Sequence, residues 1–418
     1  MTDLMITRAI LLFLMTILVG SCSDDISQWR GPERDGIYPA EGLLKKWPEE
    51  GPRLVLKIED IGKGYSQPVI YDNTIFITGM KSDTMDVISA YTMDGTQLWE
   101  TAYSRAWERT YPESRGTPTI EKGRIYLIGG MGDLVCIDAK SGEIRWQHNP
   151  NDEYQGSYKG WGIAESALLT DQDVLYVTGG KETTVVAFNK KTGKLHWKSK
   201  STGGQKAYAS SSLVDWEGRK IALVQTSDDL VGIDVADGTV QWTYNTIQYH
   251  VEKGKGEAAN TPLYKDGEVF VTYGNNQPGL MLRIPENDSV FHLKWRNDVL
   301  DTHHGGLVML DGTIYGSTMV HNSKGNWAAV DWKTGQTLWE KEWYTKGSVI
   351  AADGMLYLYE ERTGHVALVK PGRNDLNIIS EFRVIEGTGP HWSHPAIYQG
   401  MLIIRHGDVL MVYDISES

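Results

Sequence analysis

Four histidines stand in two short motifs whose spacing suits metal binding. His303 and His304 are adjacent, and His391 and His394 form an H-x-x-H pair near the C-terminus. Three neutral imidazoles and a carboxylate such as Glu165 are a ligand set for Zn²⁺ or Cu²⁺. The sequence therefore suggests a divalent metal site built from these five residues. Because adjacent residues of a strand point to opposite faces, we expect one of His303 and His304 to face the site and the other to pack away from it.

Aromatic residues suggest a different site, a pocket for an uncharged small molecule or glycan. The faces of Tyr65, Trp161, Tyr208 and Trp392 can stack on sugar rings, and Arg115 can hold hydroxyl groups.

General acid–base catalysis would use some of the same side chains. His391 or His394 would be the base, and Glu165 or Asp301 the acid. Nothing in the sequence distinguishes catalysis from binding, so whether the chain is an enzyme stays open.

One recurring motif predicts the elements that must position these residues. A strand and a tight turn lead to a glycine and, four residues later, a tryptophan, as in "AYTMDGTQLW". The tryptophans lie 44 to 53 residues apart, which is typical of four-stranded propeller blades. We expect each to lie on an outer strand and to pack against the neighbouring blade. They are Trp99, Trp146, Trp197, Trp242, Trp295 and Trp339, the copy at Trp295 being degenerate.

Two further blades lack the tryptophan, so the predicted count is eight. The last blade ends after three strands, and we assign its missing strand to "PRLVLKI", residues 52–58. This pairing would close the ring and remove free sheet edges. The predicted fold is an all-β, eight-bladed β-propeller of four-stranded antiparallel blades, closed by an N-terminal strand that joins the C-terminal blade. A single propeller domain is predicted over 52–418.

The loops that precede the inner strands should surround the mouth of the central channel. Gly305 and Gly306 follow the histidine pair in one such loop, and their small size suits the crowding of inner strands near the axis. The loops contribute fourteen candidates to one funnel: Tyr65, Arg115, Trp161, Glu165, Tyr208, Glu257, Asn260, Asp301, His303, His304, Lys346, His391, Trp392 and His394.

The N-terminus carries a targeting signal. An apolar run of about 12 residues ends in "VGSC", which predicts a lipoprotein signal peptide over 1–21 and lipidation of Cys22, the alternative being plain secretion. Residues 22–51 are the predicted anchor segment and lead-in. The other cysteine, Cys136, then has no disulfide partner. The net charge of -13, without a basic run, argues against nucleic-acid binding.

The repeat "[A/C/G]-x-D-x-x-[T/S/D]-G-x-x-x-W" resembles that of the PQQ-like (pyrroloquinoline-quinone-type) β-propeller family over about residues 28–415. Quinoprotein alcohol dehydrogenases share this fold, as does BamB, the lipoprotein subunit of the outer-membrane β-barrel assembly machine. The segments "QWRGP", "GYSQPV", "HHGG" and "SHP" are similar to those of uncharacterised secreted members. The motif is specific for fold and weak for function.

The resemblance to the dehydrogenases implies PQQ beside a Ca²⁺ held by carboxylate and amide oxygens. Glu165, Asn260 and Asp301 are the candidates for that role. The chain lacks the dehydrogenases' vicinal disulfide and any haem-attaching C-x-x-C-H motif. PQQ with Ca²⁺ is therefore the less favoured cofactor.

These observations favour a monomeric outer-membrane lipoprotein, facing the periplasm or the cell surface, whose histidine-rich funnel binds a small ligand, glycan-like or metal-assisted. The first alternative is a BamB-like scaffold for outer-membrane protein assembly, which would bind a protein partner. The second is a PQQ-dependent dehydrogenase. A scaffold has no need to concentrate histidines at the channel mouth, although the lipid anchor and the chain length fit it equally well.

Overall fold

A computed structural model describes residues 25–417, apart from 83, 159, 253–255, 287–289 and 322. The predicted signal peptide and Cys22 lie outside the described residues. Helical structure in the described ranges comprises α1 (Pro150–Glu153) and a 3₁₀ turn (Ile247–Tyr249). No helix within these ranges is long and apolar enough to cross a membrane.

Two strands precede the first blade along the chain, and both join later blades. They are β1 (Ile37–Tyr38) and β2 (Arg53–Ile58). Eight antiparallel sheets then follow one another, each built outward from an inner strand, which confirms the predicted eight-bladed propeller.

In the first four blades, the strands follow the chain from the inner strand outward. Blade 1 has β3 (Val69–Tyr71), β4 (Thr74–Lys81), β5 (Met85–Thr92) and β6 (Gln97–Arg105). Blade 2 has β7 (Thr119–Glu121), β8 (Arg124–Ile128), β9 (Leu134–Asp138) and β10 (Ile144–His148). Blade 3 has β11 (Leu168–Leu169), β12 (Asp173–Val177), β13 (Val185–Asn189) and β14 (Leu195–Lys198). Blade 4 has β15 (Ser212–Trp216), β16 (Arg219–Gln225), β17 (Asp229–Asp234) and β18 (Val240–Asn245).

The remaining blades follow the same order. Blade 5 has β19 (Leu263–Lys265), β20 (Glu268–Val271), β21 (Gly279–Arg283) and β22 (His292–Asn297). Blade 6 has β23 (Leu307–Leu310), β24 (Thr313–Ser317), β25 (Trp327–Asp331) and β26 (Thr337–Lys341). Blade 7 has β27 (Gly347–Ala352), β28 (Met355–Glu360), β29 (His365–Lys370) and β30 (Asn377–Arg383). Blade 8 has β31 (Ala396–Tyr398), β32 (Met401–His406) and β33 (Val409–Asp414), with β2 as its outer strand.

The N-terminal strand closes the ring as predicted. β2 pairs antiparallel with β33, with Arg53 opposite Asp414 and Ile58 opposite Leu410. One pairing has no counterpart in the prediction: β1 runs parallel to β27, the inner strand of blade 7, with Ile37 opposite Ala351. The lead-in therefore reaches the central channel before it returns to the outside of blade 8.

Two faces of the disc follow from the strand directions. Each inner strand ends in a tight hairpin to the next strand, as at Lys122-Gly123 and Asp311-Gly312, where both residues have positive φ, as type I′ turns require. We call this side the hairpin face. The loops that lead into the inner strands lie on the opposite side, which we call the funnel face.

The recurring tryptophans join neighbouring blades. Trp197 Nε1 donates to the Val235 carbonyl oxygen of the next blade at 3.0 Å, and Trp99 Nε1 does the same to Ala139 at 3.2 Å. Gly238, in the turn after Val235, has φ +79°, and a Cβ there would lie 2.4 Å from Trp197 Cε3. The glycine and tryptophan of the motif thus fit each other across the blade boundary. The apolar core is likewise divided into clusters that lie between adjacent blades.

Candidate functional site

The segment before β1 enters the channel from the hairpin face. The Asp72 backbone N–H, in the hairpin of blade 1, donates to the Asp25 carboxylate at 3.2 Å, and Arg30 and Arg34 follow as buried side chains. Arg30 donates to the carbonyl oxygens of Leu307 and Val349 at 2.6 and 3.1 Å. The guanidinium therefore bonds inner strands of blades 6 and 7.

Arg34 also bonds residues of the inner strands and their loops, on the other side of the axis. It donates to the carbonyl oxygens of Ser166, Ala167 and Ser211 and to Thr119 Oγ1, which belong to blades 2, 3 and 4. In the described ranges, the inner strands of blades 2, 3 and 4 have no neighbouring strand on the axis side, so these buried oxygens need donors from elsewhere. Burial lowers the pKa of Arg34 to about 10, so that it stays charged at neutral pH.

The lead-in contacts the remaining blades as well. Trp29 Nε1 donates to Thr261 Oγ1 of blade 5 at 3.2 Å, and the Arg30 backbone N–H donates to Gln67 Oε1, beside blade 1, at 3.0 Å. Gly306 leaves room for this segment, because a Cβ there would lie 1.9 Å from Arg30 Nη1. We call residues 28–36 the plug, since they fill the channel below the funnel.

A funnel of about 1050 Å³ opens above the plug on the funnel face. Nine of the fourteen sequence-predicted candidates line it, and they come from seven blades: Tyr65, Arg115, Trp161, Tyr208, His303, His304, Lys346, Trp392 and His394. Five further residues complete the lining: Trp29, Tyr111, Ala164, Ser210 and Ala259. The five candidates that do not line it are Glu165, Glu257, Asn260, Asp301 and His391.

Both histidines of the adjacent pair face the funnel, which corrects the expectation that only one would. His303 and His304 lie in the loop before β23, so the alternation of a strand does not apply to them. Asn260 fixes this loop: its Nδ2 donates to the carbonyl oxygens of Thr302 and His303, and its Oδ1 accepts from the Gly306 N–H. Asn260 is thus a positioning residue for the histidine pair.

His394 has hydrogen bonds at both ring nitrogens. Arg30 Nη1 donates to Nδ1 at 2.8 Å, so Nε2 carries the proton and donates to the His304 carbonyl oxygen at 2.8 Å. Burial, together with the Arg30 charge, lowers the pKa of His394 to about 3. A neutral imidazole with both nitrogens engaged is not available to a metal.

His391 lies outside the funnel. Its Nδ1 is 2.5 Å from the Tyr359 hydroxyl, and its ring stacks on His406 with centroids 3.6 Å apart. The predicted metal set of His303, His304, His391, His394 and Glu165 is therefore not brought together. Across the described ranges, no cluster of three or more His, Cys, Asp or Glu side chains could hold a metal ion.

Three of the predicted carboxylates and amides serve the scaffold. Glu165 pairs with Lys206 at 2.6 Å in a buried ion pair, and burial raises the pKa of Glu165. The Asp301 carboxylate accepts from the backbone N–H groups of Met319 and Asn276, at 2.6 and 2.7 Å. Asn260 is engaged by the histidine loop, so all three proposed Ca²⁺ ligands are bonded to groups of the protein and none lines the funnel; the site does not fit PQQ with Ca²⁺.

Glu257 stands near the start of blade 5 without reaching the funnel. It is half-buried, and its backbone N–H donates to the Tyr273 carbonyl oxygen at 2.6 Å.

A buried ion pair that the sequence analysis missed supports the funnel wall. Lys346 Nζ lies 2.5 Å from Glu361 Oε1, and Glu361 Oε2 lies 3.5 Å from His304 Nε2. Burial raises the pKa of Glu361 to about 7, against the effect of Lys346. Glu361 follows β28 in the turn to β29, whereas the predicted candidates all lie near the starts of inner strands. An acidic residue in another loop of the funnel face is the signal in the sequence that points to it.

Aromatic rings form two walls of the funnel. Trp392 packs against Tyr65 and Tyr111, with centroids 5.0 and 5.1 Å away, and forms the first wall. Trp161 and Tyr208, with centroids 5.4 Å apart, form the second.

Polar residues join the two walls at both ends. At one end, His304 lies 5.4 Å from Trp392 and His303 lies 6.3 Å from Trp161, with the two imidazoles 4.9 Å apart. At the other end, Arg115 lies over the Tyr65 ring at 5.8 Å and donates to the Trp161 carbonyl oxygen. The funnel is therefore a slot with aromatic sides and nitrogen-rich ends, and Trp29 of the plug contributes to its lining.

Exposed apolar side chains surround the slot on the funnel face. They lie in loops between blades or in a turn of blade 6: Tyr111, Tyr158, Val251, Val320, Tyr344 and Ile385. We call these six residues the apolar rim. The other large exposed apolar residues lie on or beside outermost strands: Leu54, Val55, Leu98, Leu195, Val290 and Ile379.

Comparisons with known proteins place the chain among PQQ-like propellers. The profile of the family described as outer membrane protein assembly factor BamB matches residues 84–341. BamB of Yersinia pestis is 22% identical over 320 residues, which cover 74% of this chain and 75% of that protein.

Two solved structures show the same fold. BamB from Moraxella catarrhalis aligns with a TM-score of 0.63 at 16% identity, over 87% of this chain and 99% of that one. The quinohemoprotein alcohol dehydrogenase of Comamonas testosteroni aligns with a TM-score of 0.69 at 11% identity, over 94% and 81%. At such identities the structural likeness speaks for the fold alone.

Proposed function

This chain belongs to the family of the outer membrane protein assembly factor BamB, and from that premise we propose that it is a cell-envelope scaffold that binds a protein partner through its funnel face. The partner would be a component of outer-membrane protein assembly, as the name of its relatives suggests. The BamB-like scaffold, which the sequence suggested as the first alternative, is therefore the leading function.

The apolar rim is the observation that carries the proposal. Val251 and Ile385 are 72% and 76% exposed, and both lie in loops of the funnel face. Exposed apolar side chains on the loops of one face are typical of protein-binding surfaces. The other large exposed hydrophobic residues lie on or beside outer strands, where single exposed side chains are ordinary.

The proposed anchor would leave this face available. Cys22 precedes Asp25 by three residues, a span of at most about 10 Å, and Asp25 lies at the hairpin face. A lipid on Cys22 would therefore hold the hairpin face toward the membrane. We propose that the protein is an outer-membrane lipoprotein in this orientation, with the funnel face turned to the periplasm or the cell exterior.

A rim substitution with a matched control tests the scaffold function. Ile385→Asp should reduce co-purification with the barrel-assembly apparatus at least tenfold, because it places a charge in an apolar contact. Leu98→Asp is the control, at a residue 53% exposed on the outer strand β6. The measurement is quantitative mass spectrometry after chemical cross-linking of whole envelopes. Equal recovery of the apparatus with both variants and the wild type would rule out docking at the rim.

A second function is supported by the slot itself. Its lining combines six aromatic residues with three histidines, a lysine and an arginine, which is more than a protein-docking face needs. We propose that the slot binds a small ligand. The histidine contacts argue against a metal as part of this site, and no reaction is proposed for it.

A further inference from the structure

The slot has the chemistry of a site for a hydroxyl-bearing ring with apolar faces. Trp392 and Tyr111 stand on one wall, and Trp161 and Tyr208 on the other. Aromatic faces bind the C–H faces of such a ring, while polar groups fix its edge.

Two polar atoms in residues at the ends of the slot lack hydrogen-bond partners among the described residues. His303 Nδ1 and Arg115 Nε are buried, and neither has a hydrogen-bond partner within the described chain. Buried polar atoms of this kind cost stability unless something bonds them. Hydroxyl groups can donate to an imidazole nitrogen and accept from a guanidinium or ammonium, whereas a purely apolar ligand would satisfy neither end.

The basic groups at the histidine end are held in place by Glu361. Its Oε1 binds Lys346 at 2.5 Å, and its Oε2 faces His304 Nε2 at 3.5 Å. Glu361 therefore offsets part of the positive charge of Lys346, and Arg115 is the other cation at the slot. This balance disfavours a multiply charged anion and suits a neutral ligand.

We propose that the funnel is a carbohydrate-binding slot, which holds a pyranose ring between its aromatic walls and bonds the ring's hydroxyl groups at its two ends. The inference rests on the second function proposed above. It names the class of ligand and the residues that recognise it. It also gives the scaffold a means to recognise the glycan-bearing surroundings of the cell envelope.

The test uses the purified propeller and saturation-transfer NMR. The probes are glucose, galactose, mannose, N-acetylglucosamine and glucuronic acid with their disaccharides, and phenol and benzyl alcohol as rings without a sugar. Tyr111→Ala removes one face of the slot, whereas Tyr111→Phe keeps it. His304→Phe removes one of the polar groups at the histidine end. Tyr344→Ala is the matched control, a rim tyrosine that does not line the slot.

At least one sugar should bind the wild type, the Tyr111→Phe variant and the Tyr344→Ala variant with dissociation constants within threefold of each other. Tyr111→Ala and His304→Phe should each weaken binding tenfold or more. Thermal unfolding of each variant shows that the ring is intact.

Three results would overturn the inference. If only phenol or benzyl alcohol binds, and does so in a Tyr111-dependent manner, the slot has a ligand but not a carbohydrate, and the second function stands. If sugars bind equally well to Tyr111→Ala and Tyr344→Ala, the site is elsewhere. If no probe binds, both the inference and the second function are wrong.

Discussion

At the scale of single residues, the structure separates side chains that share a type. His303 and His304 face the slot, whereas His394 is committed to the Arg30 guanidinium and a backbone carbonyl. His391 packs on Tyr359, away from the funnel. The sequence placed all four histidines near the starts of inner strands. Hydrogen-bond partners from distant loops decide which ring nitrogens remain available to a ligand.

His394 should make stability depend on pH. Its folded-state pKa of about 3 is below the unfolded value of 6.5. As the pH falls below 6.5, the unfolded chain therefore binds a proton that the folded chain does not bind. Between pH 7 and pH 5 this favours unfolding by about 2 kcal/mol. In His394→Asn, the amide oxygen can still accept from Arg30 but does not titrate.

Urea unfolding at pH 7 and pH 5 measures the effect. The loss of stability between the two values should be about 2 kcal/mol smaller in His394→Asn than in the wild type. His321→Asn, at an exposed histidine, is the control and should retain the wild-type dependence. An equal loss in all three proteins would show that His394 is protonated in the folded state at pH 5.

At the scale of elements, the Gly-x-x-x-Trp motif determines both a turn within a blade and a contact between neighbouring blades. The glycine of one blade receives the tryptophan of the preceding blade, so one repeat carries both halves of an interface. The spacing of these tryptophans predicted the length of a blade, the glycine-containing pairs predicted the turns, and the three-stranded last blade predicted the closing strand β2. It could not predict the plug, because "QWRGPERDG" has neither a strand pattern nor an apolar period, and its contacts are made by two arginines with distant carbonyl groups.

Two glycines of blade 4 test the fit between motif residues. Gly238 and Gly218 have φ values of +79° and +77°, so alanine strains the backbone equally at both, by about 1 kcal/mol. A Cβ at Gly238 would also meet Trp197, whereas a Cβ at Gly218 has nothing within 4 Å. Gly238→Ala should therefore destabilise the protein by a further 1–3 kcal/mol or so in urea unfolding. Equal losses would mean that the tryptophan moves aside without cost.

At the scale of the whole molecule, the ring and its plug form a rigid support with two unlike faces. The hairpin face carries the start of the described chain at Asp25, and the funnel face carries the slot and the apolar rim. The residues of the slot come from all eight blades and the plug, and the plug bonds residues that belong to or flank the inner strands. The fold was predictable from the repeat, and so was most of the slot lining. The sequence could not predict which face carries the start of the described chain, because that depends on the path of the lead-in through the channel.

The central claim is that the funnel face is the one that binds a partner, and a site-specific photo-cross-linking scan tests it most directly. A photoreactive amino acid would be placed, one position at a time, at Val251, Val320 and Ile385 of the rim and at Lys122, Asp266 and Asp311 of the hairpin face. The account predicts cross-links to a component of outer-membrane protein assembly from the rim positions, with yields at least tenfold above those from the hairpin positions. Cross-links to such a component from the hairpin face, with none from the rim, would contradict it.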